Sequence, residues 1–315
     1  MNYLNSLTKT PPLNTALLFI VFNRPNTTAV VFNEIRKARP TRLYIASDGP
    51  RAHYIDELQK INHVRKIVKN IDWKCEVKTL FSEKNLGCKV ACSRAIDWFF
   101  EKEEEGIILE DDCLPHPDFF YFCEILLNHY KSEKKIFQIT GSNFQNNIKR
   151  GKASYYFSNY NHIWGWATWK RAWKYYDKEM KFWPEWKESD DWKKKFSDKV
   201  ERNFWENNFE ASYKNQIDTW CYPWQSSVWK EGGLTVTPNV NLISNIGFGV
   251  DATHTTNSKN INSNIPTKSI GKIVYTNVFE VNKKADLYTF NYHYEGKKLR
   301  FIWVLLRKVF RYFFK

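Results

Sequence analysis

The sequence predicts an α/β fold: a mostly parallel central sheet with helices packed on its faces. Three observations carry this expectation. Runs at 15–22, 42–47, 76–81 and 106–109 read as strands, and the first and last are continuously apolar, as buried strands are. Stretches with helical spacing at 28–37, 55–71 and 88–100 separate them, and strand–helix alternation of this kind builds parallel βαβ units. The 315 residues are 43% hydrophobic and 26% charged, a globular composition with core enough for one large domain or two small ones.

The elements follow in order. The first strand runs into Asn23-Arg24-Pro25, and Asn26 or Thr27 can cap the helix behind it. The second stops at Asp48-Gly49-Pro50, a turn signal. The third is followed by a loop at 82–87 that contains Lys84, Asn85 and Gly87. The fourth ends in three consecutive acids, Glu110, Asp111 and Asp112. Pro115 and Pro117 then stop regular structure, and Asp118 opens an apolar helical run at 119–127. In the second half, 137–140, 154–157 and 234–238 read as strands, 171–195 as helix in pieces, and 200–216 as helix. Residues 162–169, with Trp164, Gly165 and Trp166, are dense in aromatics and contain one glycine. Residues 244–249 are punctuated by glycine and lead to His254, and 257–264 read as a polar linker.

Several classes are disfavoured. No G-x-G-x-x-G follows the first strand, and no phosphate-binding G-x-x-x-x-G-K-[ST] occurs anywhere. The six cysteines form no C-x-x-C pair. Cys88 and Cys92 lie one helical turn apart without matching partners, so reduced thiols of a cytosolic protein are expected rather than a zinc site. Residues 1–14 lack a signal-peptide core, and no run is long and apolar enough to span a bilayer. The formal net charge of +14 favours polyanionic partners, and the 17% aromatic content, with 14 Trp, suits core packing, stacking and interfacial anchoring. Residues 297–315 hold no acid and interleave Lys and Arg with Trp, Phe and Leu. That pattern is a basic amphipathic helix suited to an anionic membrane surface.

The acidic triplet is the feature that points to chemistry. Three adjacent carboxylates repel one another unless water or a cation screens them. Open α/β sheets place ligands at the carboxyl ends of their strands. Magnesium and manganese take oxygen ligands there, often one or two carboxylates plus substrate phosphates.

With these motifs in hand, residues 16–254 resemble the GT-A glycosyltransferases, the Rossmann-like nucleotide-diphosphosugar transferase fold. Within that fold they are most similar to the N-acetylglucosaminyltransferase I type, with its Glu-Asp-Asp metal motif. The matching segments are Phe22-Asn23-Arg24-Pro25, Ser47-Asp48-Gly49, Asn85-Leu86-Gly87, Leu109-Glu110-Asp111-Asp112 with Pro117-Asp118-Phe119-Phe120, and Ile217-Asp218-Thr219-Trp220. The resemblance implies a GT-A domain over 1–256, with a donor half at about 15–145 and an acceptor half at about 146–256, followed by a C-terminal extension at 257–315. It implies transfer of a sugar from a nucleotide-diphosphate donor, a UDP-sugar, to a hydroxyl of a glycan or glycolipid, with inversion. By the same resemblance Asp112 and His254 would ligate a divalent cation (Mn2+ or Mg2+). Asn23, Arg24, Pro25, Asp48, Lys84, Asn85, Gly87, Glu110, Asp111, Trp164, Gly165 and Trp166 would line the donor site, and Asp218 would be the general base. With the basic tail, this describes a cytoplasmic enzyme on the inner face of a cell membrane that builds surface glycans.

Two other readings stay open. The triplet also suits a metal-dependent phosphotransferase or nuclease, although no second, separate acid set is evident. A basic, aromatic-rich nucleic-acid-binding protein is the non-enzymatic alternative, although no recognisable module supports it.

Overall fold

The computed structural model describes residues 11–249 and 262–302. In chain order the elements are β1 (Leu17–Val21), α1 (Pro25–Ala38), β2 (Arg42–Ser47), α2 (Glu57–Lys69), β3 (Glu76–Phe81), α3 (Cys88–Phe100), β4 (Glu105–Glu110), β5 (Cys113–Pro115) and α4 (Pro117–His129). Then come β6 (Ile136–Thr140), β7 (Tyr155–Ser158), β8 (Trp166–Trp169), α5 (Lys170–Trp173), α6 (Trp183–Glu188), α7 (Asp190–Lys195) and α8 (Lys199–Tyr213). The last are α9 (Cys221–Lys230), β9 (Leu234–Pro238), β10 (Ile243–Asn245) and α10 (Lys283–Tyr292). The class is the expected one: α/β, with an eight-stranded sheet ordered β3-β2-β1-β4-β8-β6-β9-β7. The strands β3, β2, β1 and β4 are mutually parallel, β9 is parallel to β6, and β8 runs antiparallel between β4 and β6.

Strand alternation sorts the core onto the two faces. Leu17, Phe19 and Val21 of β1 pack with Val31, Phe32 and Ile35 of α1 and with α4. Leu18 points the other way, to Ile96, Phe99 and Phe100 of α3 and Trp224 of α9. A third cluster gathers Trp183, Trp186, Trp192, Trp205 and Trp229 with Phe209 and Phe290, so much of the aromatic content is core.

Residues 166–169 correct the sequence reading. They form a buried strand, β8, so Trp166 does not belong to an aromatic donor-site loop with Trp164 and Gly165. Trp166 is fully buried, stacked on Trp220 with ring centroids 5.6 Å apart. Residues 262–302 fold back onto the body. Ser154 N–H donates to the Val274 carbonyl (2.9 Å) and Asn282 N–H to the Phe157 carbonyl (2.8 Å), while Val281 bridges Phe157 beside β7. Asp286 of α10 accepts from Ser158 Oγ (2.6 Å) and from Asn159 N (3.0 Å) and Nδ2 (3.1 Å).

This docking region titrates. His162 is buried against Phe144, and burial, reinforced by His293, holds it well below its ordinary value. The unfolded chain therefore takes up a proton near pH 6.5 that the native state refuses, and stability falls as pH drops below that point. Burial instead raises the carboxyls of Asp286 to about 6 and Glu201 to about 7. Those groups bind protons more readily when folded, so their contribution rises as pH falls through the same window. The histidine effect is isolated by comparing wild type with His162→Phe. Melting curves are expected to show the wild type losing about 1–2 kcal/mol relative to the variant between pH 6.5 and 5. Parallel curves would mean that His162 does not titrate as its burial dictates.

Candidate functional site

A cleft of about 440 Å³ opens at the carboxyl ends of β1, β2 and β4. Sheet topology explains its contents, because parallel strands deliver the residues that follow them to one edge. The turn after β1 brings Arg24, the turn after β2 brings Asp48, the loop after β3 brings Asn85, and β4 ends in Glu110 before Asp111 and Asp112.

Arg24 is the centre of the acidic end. It precedes α1, and its carbonyl accepts from Thr28 N (3.0 Å) and Thr28 Oγ1 (2.7 Å). Its guanidinium forks across two acids, with Nη2 at 2.6 Å from Asp111 Oδ1 and Nη1 at 2.8 Å from Asp112 Oδ2. Asp111 is 1% exposed and spends its other oxygen on Phe22 N–H (3.0 Å), so both of its oxygens are directed inward. Burial raises its carboxyl against the pull of Arg24. Asp112 Oδ1 faces the Cys113 thiol at 3.3 Å. Glu110 Oε1 is buried with no hydrogen-bond partner, and burial, followed by the charge of Asp112, drives this carboxyl well up. Ile246 N–H donates to the Asp112 carbonyl (2.9 Å), and that pulls the segment after β10 across the acids.

The other wall is a braced turn. Asp48 Oδ1 accepts from Gly49 N (2.8 Å) and Leu86 N (3.0 Å), and Oδ2 accepts from Asn85 Nδ2 (2.9 Å). Arg65 of α2 ties the same strand ends together, donating to Ser82 O (2.7 Å) and Asp48 O (3.1 Å). Across the cleft, Asp218 reaches the N-terminus of α3, where Oδ2 accepts from Cys88 N (2.8 Å) and Oδ1 from Lys89 N (2.9 Å). It thus satisfies two of the four N–H groups that a helix start leaves unpaired. Gly87 sits at φ +80°, a conformation that favours glycine, and a Cβ there would also lie 2.8 Å from Asp218 Oδ2.

The structure therefore brings Arg24, Asp48, Asn85, Gly87, Glu110, Asp111, Asp112, Trp164 and Asp218 to one cleft. Other residues of the expected donor site lie elsewhere. Asn23 Nδ2 donates to Glu57 Oε1 at 2.8 Å, Pro25 starts α1, and Trp166 is in the core. Gly165 makes room for Ile243, and Lys84 is exposed on the loop behind Gly49. His254 falls outside the described residues. The cleft also contains residues that the sequence reading missed, including Arg51 and Arg94. Arg51 sits directly after the Asp48-Gly49-Pro50 turn. Arg94 lies one helical turn past Val90 and Ala91 on α3. Proximity to a strand-end turn was the available signal for Arg51; Arg94 gave none.

The donor set fits a hard divalent cation of the kind that takes few protein ligands. Asp112 Oδ1, which accepts from the Cys113 thiol, and Glu110 Oε1, buried without a hydrogen-bond partner, are the oxygens that Arg24 leaves unheld, and substrate phosphates would complete the shell. Among the described residues, no group of three or more His, Cys, Asp or Glu side chains is arranged to hold a metal without such help.

No family model matches the chain, and no curated protein matches it. Among solved structures it is similar to a mannosyltransferase, PcManGT from Pyrobaculum calidifontis, in complex with GDP-Man and Mn2+. The identity is 10% and the TM-score 0.34, over 52% of this chain and 48% of that one. It is also similar to a UDP-glucose pyrophosphorylase complexed with UDP-glucose, at 12% identity and TM-score 0.28 over 48% and 64% of the two chains. A 4-diphosphocytidyl-2C-methyl-D-erythritol synthase from Anaerococcus prevotii matches at 7% and 0.30 over 56% and 78%. The chain spans about half the length of the mannosyltransferase. No helix among the described residues is long and apolar enough to cross a membrane.

Proposed function

We propose that this protein is a glycosyltransferase that moves a sugar from a nucleotide-diphosphate donor, a UDP-sugar, to a hydroxyl of a glycan or lipid-linked glycan. The observation that carries the reading is the convergence, at one sheet edge, of Arg24, the braced Asp48–Asn85 turn and the triplet Glu110–Asp112. The nucleoside would lie along the ends of β1 and β2, with its diphosphate toward Arg24 and Asp112. When bound, a manganese or magnesium ion on Asp112 and Glu110 would act as a Lewis acid on the leaving diphosphate.

Asp218 is the proposed general base. It is exposed at the cleft, and each of its oxygens keeps a lone pair beyond the N–H it accepts. Trp164, half-buried on the cleft wall beside Phe248, would present an apolar face to the sugar. His254 would complete the metal shell. Residues 297–315 would hold the enzyme on an anionic membrane on the cytoplasmic side, where lipid-linked acceptors lie.

The test is a thermal-shift panel of nucleotide-sugars with manganese, since a ligand of the native state raises its stability by mass action. One UDP-sugar is expected to raise the midpoint in a metal-dependent way, and no response across the panel would sink the assignment. With that donor, Asp218→Asn is expected to lose about 10²–10⁴-fold in turnover while keeping donor affinity. Weakened donor binding instead would leave Asp218 as a cap on α3 and nothing more.

A further inference from the structure

We propose that Arg24 is a resident counter-cation: it occupies the metal's place on the acids and gives it up only when a metal ion and a diphosphate arrive together. The inference deepens the glycosyltransferase reading and rests on it. The geometry is that of a closed clamp. One guanidinium nitrogen is 2.6 Å from Asp111 and another 2.8 Å from Asp112, and the fork matches two carboxylates at once. Asp112 is the acid proposed for the metal, and its Oδ2 is the oxygen that Arg24 holds. An ion seated on that oxygen would displace Nη1. An ion on Oδ1 would sit within a few ångströms of a fixed positive charge in a partly buried place, where like charges repel strongly.

The clamp is also covered. A Cβ on Gly247 would stand 2.6 Å from Arg24 Nη1 and in contact with Asp112, so the backbone after β10 lies directly on the pair. Metal alone offers Arg24 no new partner in exchange for Asp112, and releasing Nη1 would leave that arm of the fork unpaired beneath that segment, with only Nη2 still held by Asp111. A diphosphate changes the balance by bringing oxygens for Arg24 to turn to as the cation takes Asp112. The site would thus refuse free metal and accept the metal–diphosphate pair.

The experiment measures Mn2+ affinity from the electron paramagnetic resonance signal of free Mn2+, with and without UDP, for wild type, Arg24→Met and Arg24→Lys. Without UDP, Arg24→Met is expected to bind Mn2+ at least tenfold more tightly than wild type, with Arg24→Lys between them. With UDP, wild type is expected to bind Mn2+ tightly and the advantage of Arg24→Met to vanish. Equal metal affinity of wild type and Arg24→Met without UDP overturns the proposal but leaves the transferase reading standing. Failure of wild type to bind UDP under any condition overturns both. Should Arg24→Met fail to fold, wild type answers by itself. With diamagnetic Mg2+ in place of Mn2+, the guanidinium signals of Arg24 in nitrogen-edited NMR are expected to keep their chemical shifts with metal alone and to move when UDP is added. Signals that stay in place with both bound overturn the proposal.

Discussion

Trp166→Ala is expected to destabilise the fold by about 3–5 kcal/mol, the range for emptying a large aromatic site in a core. Trp166 is fully buried, with ring centroids 5.6 Å from Trp220, 5.9 Å from Trp224 and 6.2 Å from Trp173. Its backbone pairs with Ile108 of β4 on one side and Thr140 of β6 on the other, so the neighbours cannot collapse without shifting the sheet. The indole N–H has no hydrogen-bond partner. The cost is therefore one of shape and apolar burial, and Trp166→Phe is expected to recover more than half of it in denaturant unfolding. A Phe variant as unstable as the Ala variant would mean that the indole edge makes a polar contact after all. The loss has a functional side as well. Trp220, stacked on Trp166, lies two residues beyond Asp218, so the cavity would loosen the segment that carries the proposed base. Turnover is expected to fall more than the lost stability alone explains at temperatures where the variant is folded.

Asp111→Ala is expected to cost about 3–5 kcal/mol, the range for removing one partner of a buried ion pair. The residue holds Arg24 at 2.6 Å and the Phe22 N–H at 3.0 Å, and the substitution strands both. Asp111→Asn keeps an oxygen for the backbone N–H but lacks the charge, and is expected to lose about half as much. The order Ala worse than Asn worse than wild type, read from urea midpoints, checks this account. Both variants are also expected to weaken UDP binding more than tenfold, because Arg24 would no longer be aimed. Unchanged UDP affinity in a folded Asp111→Asn would detach Arg24 from the donor site.

The parallel half of the molecule was written plainly in the sequence. Strands β2, β3 and β9 fall on the residues where apolar runs and turn signals put them. The convergence of Arg24, Asp48, Asn85 and Glu110–Asp112 on one cleft is legible for a related reason: they follow or end such strands, and topology carries strand ends to one edge. What escaped notice depends on partners distant in the chain. β5 is three residues ending in Pro115, with no periodicity of its own; it exists because Asn245, Ser244 and Ile243 pair with it antiparallel. β8 is buried on both sides and so lacks the alternation that marks a strand. Its aromatic density instead suggested a binding loop, and Trp166 was carried into the donor site with it. Asp218 shows the limit from the other direction. Its place at the cleft was foreseen, but its grip on the start of α3 lies across more than a hundred residues and leaves no local mark.

The strap formed by residues 272–282 also bears on how copies of this chain meet. β7 is the last strand of the sheet, and an open edge offers unpaired N–H and C=O groups to any other strand. Here Val274 and Asn282 bond to Ser154 and Phe157, and Val281 lies alongside, so the edge is already occupied from within. At the far edge, β3 has no such cover among the described residues, and its charged residues Glu76 and Lys78 pair with each other at 2.9 Å. The eight-stranded sheet is thus covered from within at one edge and open at the other, so the β3 edge is where a strand from another chain could add.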